Sequence, residues 1–317
     1  MKSKLFFVII AIFLAMGLCV ACTSGPKASS TDLTGVTTYY VRANGNDQNA
    51  GVSEAAPFQT LGRAIQAASG TSVKTITVIG TLDGKTEIKD SGTGVILVTG
   101  KANAPGNEKA VLTTSAEDTN VIVIIGNANI KLEHLTVTTI QGLSPIFING
   151  GNAKLTLGRN TVVSNNRGID AKEYPSYGGG ILVVRGGTLV MGDNAMVTNS
   201  AAAAGGGVAI VDNAALIMQD NAVISNNAAI SDDIDSGGGG GIYSLRGKVT
   251  LKDKASVTGN TAPHSGGIIL RLSQIETVDK LDIEGSDFYE SQQISGNTAT
   301  GTFLGRTGGN NIRVHNQ

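Results

Sequence analysis

Three short sequence patterns recur in the same order along the second half of the chain, at intervals of 26 to 37 residues apart from a last interval of 44. The first pattern is two apolar residues separated by one position, the second is an aliphatic residue followed by Ser or Thr, and the third is Ile or Val after Gly or Asn. Their leading residues are Leu155, Leu189, Leu216, Val249 and Leu281 for the first, Val163, Val197, Ile224, Val257 and Ile294 for the second, and Ile181, Val208, Ile242, Ile268 and Ile312 for the third. Each repeat is therefore one structural unit stacked on the next.

The three patterns predict three β-strands in each repeat, each paired in parallel with its copy one coil later. Alternate residues of such strands point into a core. Gly tolerates the left-handed backbone that corners need, and stacked Asn side chains can hydrogen-bond to each other and to turn backbone. A sandwich of hairpins would show two-residue turns instead. β-branched runs continue the pattern upstream, at 75–79, 87–89, 94–98, 110–112, 121–125, 130–132, 135–137 and 145–148, so we expect about nine to ten coils.

One helix is predicted near residue 60. Its apolar face would comprise Phe58, Leu61, Ala64, Ile65 and Ala68. Pro57 stands where a first helical turn tolerates proline. We expect this helix to cover the open end of the first coil, which would otherwise expose unpaired strand edges and apolar core.

Two stretches resemble known β-helical proteins. Residues 39–51 together with 56–65 resemble the N-terminal start of right-handed β-helix (pectin-lyase-like) proteins, while the Ile-Ser-Gly-Asn-Thr-Ala and Gly-Gly-Gly-Ile rows resemble repeats of polymorphic outer-membrane proteins and bacterial adhesins. The resemblance implies an all-β fold, a right-handed parallel β-helix (solenoid) over residues 37–317 with one short N-terminal capping helix. It implies little about activity, because this scaffold carries lyases, hydrolases, tail spikes and adhesins.

Residues 1–21 have the parts of a secretory signal peptide. Lys2 and Lys4 precede an apolar run at 5–20, which is too short to span a bilayer. Residues 19–22 resemble a lipobox, although position 19 is Cys rather than the usual Leu, and this implies acylation, for example by palmitate, at Cys22. Residues 22–36 would form a flexible tether. We therefore expect an exported lipoprotein anchored at the outer membrane or cell surface, with the periplasmic face as the alternative.

The composition argues against disulfides, Cys-based metal sites and nucleic-acid partners. Both cysteines, at positions 19 and 22, lie in this leader, so the mature domain has no disulfide and no Cys-based metal site. Lys and Arg number 24 against 25 Asp and Glu, without a basic block, which argues against nucleic acid as a partner.

Two groups of oxygen-bearing side chains could bind Ca²⁺, although no cofactor is the favoured interpretation. Asp232, Asp233 and Asp235 form the densest acidic group, and a solvated acidic loop is the simpler interpretation because they are sequential rather than convergent. Residues 44–49 contain three Asn and one Asp, which favour an Asx-turn loop over a metal site.

The sequence identifies no catalytic residue. Other acidic residues, such as Asp193, Asp212, Asp220 and Asp253, occur singly at expected turns, and His134, His264 and His315 are isolated in the sequence and suit turn or surface roles. The favoured function is a membrane-anchored surface lipoprotein that acts as a non-catalytic binding, adhesion or structural β-helix. The alternative is a polysaccharide lyase or glycoside hydrolase of the pectin-lyase-like fold.

Length variation indicates where a ligand would bind. An Asn or Ser follows three residues after the start of each second pattern, at positions 166, 200, 227, 260 and 297. From these positions to the third pattern the spacing alternates between 15 and 8 residues, so alternate coils carry a longer loop at one corner. Insertions at one position of a solenoid lie on one face, often the binding face. The predicted ligand-contacting residues on these loops are Arg167, Asp170, Lys172, Glu173, Tyr174, Tyr177 and Arg306. The expected partners are a host or matrix protein or a polysaccharide.

Overall fold

The structure is a computed structural model that describes residues 36–101, 109–139, 143–165, 177–233 and 237–272, with strand segments at 281–283, 294–295, 297–299, 302–303, 306–307 and 312–316. Residues 35–317 form one compact unit. Within the described residues this unit is a parallel β-helix with one α-helix, which confirms the predicted fold class.

The elements follow one another in short segments. The first coils contain β1 (Tyr39–Arg42), α1 (Leu61–Ser69), β2 (Thr75–Ile79), β3 (Thr81–Asp83), β4 (Thr86–Asp90), β5 (Ile96–Gly100), β6 (Ala110–Thr114), β7 (Ile122–Asn127), β8 (Asn129–Glu133), β9 (Leu135–Thr139) and β10 (Ile146–Asn149). The middle coils contain β11 (Lys154–Leu157), β12 (Val162–Asn165), β13 (Ile181–Val184), β14 (Thr188–Met191), β15 (Met196–Thr198), β16 (Ala201–Ala202), β17 (Val208–Val211), β18 (Ala215–Met218), β19 (Val223–Ser225) and β20 (Ala228–Ala229). The last coils contain β21 (Ile242–Leu245), β22 (Lys248–Leu251), β23 (Ser256–Thr258), β24 (Thr261–Ala262), β25 (Ile268–Leu272), β26 (Leu281–Ile283), β27 (Ile294–Ser295), β28 (Thr298–Ala299), β29 (Thr302–Phe303), β30 (Arg306–Thr307) and β31 (Ile312–Asn316).

Three long parallel sheets run along the β-helix. Sheet A has the order β1-β2-β5-β8-β11-β14-β18-β22-β26, sheet B runs from β3 to β27, and sheet C runs from β4 to β31. The predicted columns are in register: Leu155 pairs with Leu189, Val163 with Val197, and Ile181 with Val208. These inward-facing aliphatic side chains are fully buried. The repeated patterns of the sequence therefore set the stacking of the coils.

A fourth, narrow sheet was not predicted. The two-residue strands β16, β20, β24 and β28 pair in parallel directly after the Asn/Ser positions of the second pattern. The later coils thus have four strands where the sequence indicated three, and the segment 228–240, which was expected to be a loop, begins with β20. Two small residues are too few to show a periodicity, so only the pairing with neighbouring coils reveals these strands.

The predicted helix begins later than expected. Phe58 is part of the extended backbone, where it forms a bridge with Val41, and Thr60 is the N-cap, with its hydroxyl accepting a hydrogen bond from the Arg63 N–H at 3.2 Å. Pro57 therefore precedes the helix rather than starting it. The side chains of Leu61, Ala64, Ile65 and Ala68 are buried as predicted, and α1 packs against β1, β2, β4 and β5, the first strands of sheets A and C.

The Asn- and Asp-rich loop at 44–49 holds the chain ahead of α1. The Asp47 carboxylate accepts hydrogen bonds from the backbone N–H groups of Gln59 at 2.8 Å and Thr60 at 2.9 Å. Burial raises the pKa of Asp47, but these hydrogen bonds and the Arg63 guanidinium outweigh it and hold the pKa below its ordinary value. Asn49 donates to the Pro57 carbonyl oxygen at 2.8 Å. These contacts support the Asx-turn interpretation of the loop.

Candidate functional site

The outer face of sheet C is largely apolar over the strands from β7 to β25, whereas β4 places Glu87 and Lys89 there. Successive strands place two outward columns side by side, one with Val123, Phe147, Leu182, Ala209, Tyr243 and Ile269, the other with Ile125, Asn149, Val184, Val211, Leu245 and Arg271. The residues between them face the core, so sheet C is apolar on both faces. Parallel sheets of this composition are usually covered on both sides.

The outer face of sheet B, by contrast, is polar along one of its columns. One of its outward columns consists of hydroxyl side chains: Thr113, Thr138, Ser164, Thr198, Ser225 and Thr258. Within it, the Ser164 hydroxyl donates to the Thr138 hydroxyl at 3.2 Å. The apolar outer face is therefore a property of sheet C and not of every wall of the β-helix.

Part of the outer face of sheet C is covered by the corner that precedes it. The rings of Tyr177 and Tyr243 lie 5.3 Å apart, and Tyr177 and Gly238 both form backbone bridges with Ala204. Tyr243 and Ile269 are each only 1% exposed, although both stand at outward positions. Burial raises the pKa of Tyr243 to about 12 despite the Arg271 guanidinium nearby, so its phenol stays protonated at neutral pH.

Arg271 is fully buried on this outer face. Its guanidinium donates to the Gly237 carbonyl oxygen at 3.3 Å and lies 5.7 Å from the centre of the Tyr243 ring. It therefore ties the end of the 230–237 loop to sheet C. The sequence analysis did not single out Arg271, and the available signal was one cation within the aliphatic strand β25.

His264 is buried as well, which corrects the predicted turn or surface role. Its side chain is 6% exposed, and Nε2 lies 2.8 Å from the Asp232 carbonyl oxygen. The Asp232 carbonyl oxygen lies against His264, and this contact between residues 32 positions apart has no local sequence signal. His134 does occupy a turn, with φ of 53° at the corner between β8 and β9.

Two members of the predicted acidic group are exposed on the same loop. Asp232 and Asp233 are solvent-exposed, the Asp233 N–H bonds to the Ser231 hydroxyl at 3.2 Å, and its carbonyl oxygen accepts the Gly237 N–H at 2.7 Å. Asp235 lies outside the described residues, so calcium binding here stays a prediction. Among the residues that the structure describes, no group of three or more His, Cys, Asp or Glu could hold a metal ion.

Several carboxylates expected to stand singly are brought together by the stacking of the coils. The Asp193 N–H donates to the Asp220 carboxylate at 3.2 Å, and the Asp220 N–H donates to the Asp253 carboxylate at 3.0 Å. All three have positive φ, between 48° and 53°. Asp212 forms an ion pair with Arg246 at another corner. The carboxylates of Asp220 and Asp253 thus bind turn backbone and that of Asp212 binds a neighbouring cation, which is a structural use of their charge.

The structure tests the predicted ligand loops only in part. Tyr177 lies on the apolar outer face of sheet C, and Arg306 belongs to β30, which pairs antiparallel with β29. The other predicted contact residues, Arg167, Asp170, Lys172, Glu173 and Tyr174, lie outside the described residues, as does Cys22.

No protein-family model matches the chain, and neither a curated protein nor a solved structure is significantly similar to it. The described residues contain no helix of sufficient length and apolar character to cross a membrane.

Proposed function

We propose that this chain is a membrane-anchored lipoprotein whose β-helix presents a non-catalytic binding surface, formed by the outer face of sheet C and the 230–237 loop beside it. The observation that carries the proposal is the apolar composition of that face. Val184, Val211 and Leu245 remain half-buried rather than fully covered. Asp232 and Asp233 are exposed, and the Asp232 and Gly237 carbonyl oxygens contact His264 and Arg271. An apolar centre with a polar rim is typical of a protein-binding surface.

The chemistry of the surface favours a protein ligand with an apolar contact residue flanked by cations. The half-buried aliphatic side chains would pack against the apolar residue, and the exposed carboxylates at 232 and 233 would attract Lys or Arg. A polysaccharide usually requires exposed aromatic rings, whereas on this face the ring of Tyr243 is buried and Phe147 and Tyr177 are half-buried. Among the described residues, the carboxylates of Asp220 and Asp253 bind turn backbone and that of Asp212 pairs with Arg246, which supports the non-catalytic interpretation.

Two matched variants locate the surface. Val211→Lys places a cation in the middle of the apolar face, while Val190→Lys makes the same change at a half-buried outward position of sheet A. With a ligand found by screening purified matrix proteins and polysaccharides, we expect Val211→Lys to weaken binding about tenfold or more and Val190→Lys to leave the Kd unchanged. Equal weakening by both folded variants would refute the surface, and cleavage of a screened polysaccharide would refute the non-catalytic function.

The anchor is tested separately. Two or three acyl chains on Cys22 would hold the protein stably on a membrane. We expect Cys22→Ala to move the β-helix from the membrane fraction to the soluble fraction after export. The parent chain and a Cys19→Ala variant, which leaves the acylated position intact, serve as controls. An alanine variant that still partitions into detergent as the parent does would show that the anchor assignment is wrong.

A further inference from the structure

A cavity of about 560 Å³ opens at the N-terminal end of the β-helix, between the first turn of α1 and the corner that joins β3 to β4. Its floor is apolar and consists of Leu61, Leu82, Leu112, Val121 and Ile122. Its rim is polar and includes Gln59, Asp83, Lys85 and Thr86. An apolar floor with a few polar groups at the mouth, at this volume, is the usual form of a small-molecule site.

Thr86 interrupts an otherwise aliphatic core column where it borders this cavity. It pairs with Ile122, and the inward positions that follow in sheet C carry only Ile or Val: Ile122, Ile146, Ile181, Val208, Ile242 and Ile268. Thr86 is 8% exposed. A buried hydroxyl has a cost unless it finds a partner, so a polar residue at this position suits a cavity that holds a polar group.

Gly62 keeps the cavity open from the helix side. It lies in the first turn of α1 and lines the cavity, and a Cβ atom built on it would meet nothing within 4 Å. Glycine is the least favourable residue in a helix apart from proline. Neither a positive φ nor close packing requires glycine here, whereas a larger side chain would occupy the cavity.

The charges at the rim favour an anion. Both carboxylate oxygens of Asp83 bind Ser115, one accepting from its backbone N–H at 3.0 Å and the other from its hydroxyl at 2.8 Å. Lys85 is exposed, and the described part of the chain places no carboxylate within ion-pair distance of its ammonium group. Lys85 is therefore the cation available to a ligand.

We propose that this cavity binds a small amphipathic anion, with its apolar part on the leucine and valine floor and its acidic group beside Lys85 and Thr86. This site is separate from the outer face of sheet C and does not depend on the function proposed for that face. The same chemistry describes a short fatty acid and an aromatic sulfonate, and the latter provides a fluorescent probe.

The test is a fluorescence titration of residues 35–317 with anilinonaphthalene sulfonate. We expect saturable binding of one equivalent by the parent and by Gly62→Ala, which leaves the cavity open. Gly62→Phe should weaken binding about tenfold or more, because the ring occupies the cavity. Lys85→Gln, an exposed change with no risk to folding, should weaken binding about threefold, and this difference should disappear at high salt.

Octanoate competing with the probe would confirm that the site accepts a fatty acid. The proposed site is wrong if the parent shows no saturable binding of the probe. It is also wrong if Gly62→Phe binds the probe with the same Kd as the parent. If Lys85→Gln binds the probe with the same Kd as the parent, Lys85 does not bind the acidic group of the ligand, and the proposed preference for an anion is wrong. Val211→Lys should bind the probe as the parent does, which keeps this result independent of sheet C.

Discussion

Replacing Asn227 by leucine should lower the free energy of unfolding by roughly 3 kcal/mol, because it leaves at least two buried backbone groups without their hydrogen-bond partner. The Asn227 side chain is 1% exposed; its oxygen accepts the Ser200 N–H at 3.0 Å and its NH₂ group donates to the Val197 carbonyl oxygen at 3.1 Å. Leucine has the same branched skeleton, but it is larger and cannot replace either bond. The loss is measured by chemical denaturation followed by circular dichroism.

The effect should be large because the amide belongs to a ladder that crosses several coils. Asn227 donates to the Asn260 side-chain oxygen at 3.0 Å, and Asn260 donates to that of Asn297 at 2.9 Å. All three are buried, which confirms the predicted structural role of the Asn column. Hydrogen bonds in a buried chain support one another, so removing one member weakens its neighbours.

Asn226→Gly is the matched control. Asn226 is exposed and has φ of 56°, a conformation that glycine adopts readily, and the equivalent position in the next coil is Gly259. We expect a change of about 0.5 kcal/mol or less, as is usual for surface substitutions. Similar losses for Asn226→Gly and Asn227→Leu would remove the Asn ladder from the account of stability.

The second large effect is expected for Gly206→Ala. A Cβ atom at this position would lie 2.4 Å from the backbone carbonyl carbon and oxygen of Ala228 in the next coil. The coils cannot separate locally, because the Gly206 N–H donates to the Gly239 carbonyl oxygen at 3.2 Å. Overpacking against rigid backbone should cost about 3 kcal/mol, visible as a lower denaturation midpoint.

Gly62→Ala is the control for the glycine series. The same added methyl group meets nothing within 4 Å there, and alanine favours the helix, so we expect a gain of about 1 kcal/mol. Opposite signs for the two Gly→Ala variants would show that close approach of coils selects glycine at position 206. If Gly206→Ala has the same denaturation midpoint as the parent, the corners are loosely packed.

The fold was predictable because the same aliphatic side chains recur at matching positions. Leu216, for example, pairs with Leu189 on one side and Val249 on the other, in the register that the sequence pattern indicates. Such columns specify the pairing of strands without information from distant residues. The start of α1 was harder to predict, since Phe58 fits the helical periodicity and its pairing with Val41 depends on tertiary structure.

The candidate site could be predicted only in outline. The spacing of the repeats predicts a ligand-contacting corner before sheet C, and it gave no sign that Arg271 and His264 are buried beside that corner. Asp232 and Gly237 contact these two buried side chains from 32 and 34 positions away in the chain, and no local pattern encodes such contacts. Similarly, Asp193 and Asp220 are 27 residues apart in the chain and become neighbours only through stacking.

The most direct test of the proposed binding surface uses the absence of cysteine after position 22. Val211→Cys and Val190→Cys each introduce one thiol into residues 35–317, the first on the outer face of sheet C and the second on that of sheet A. The rate of thiol labelling is measured with and without a saturating amount of a ligand from the binding screen. We predict that the ligand slows labelling about tenfold or more at position 211 and leaves the rate at position 190 unchanged. Protection at position 190 with an unchanged rate at position 211 would contradict the assignment of function to sheet C.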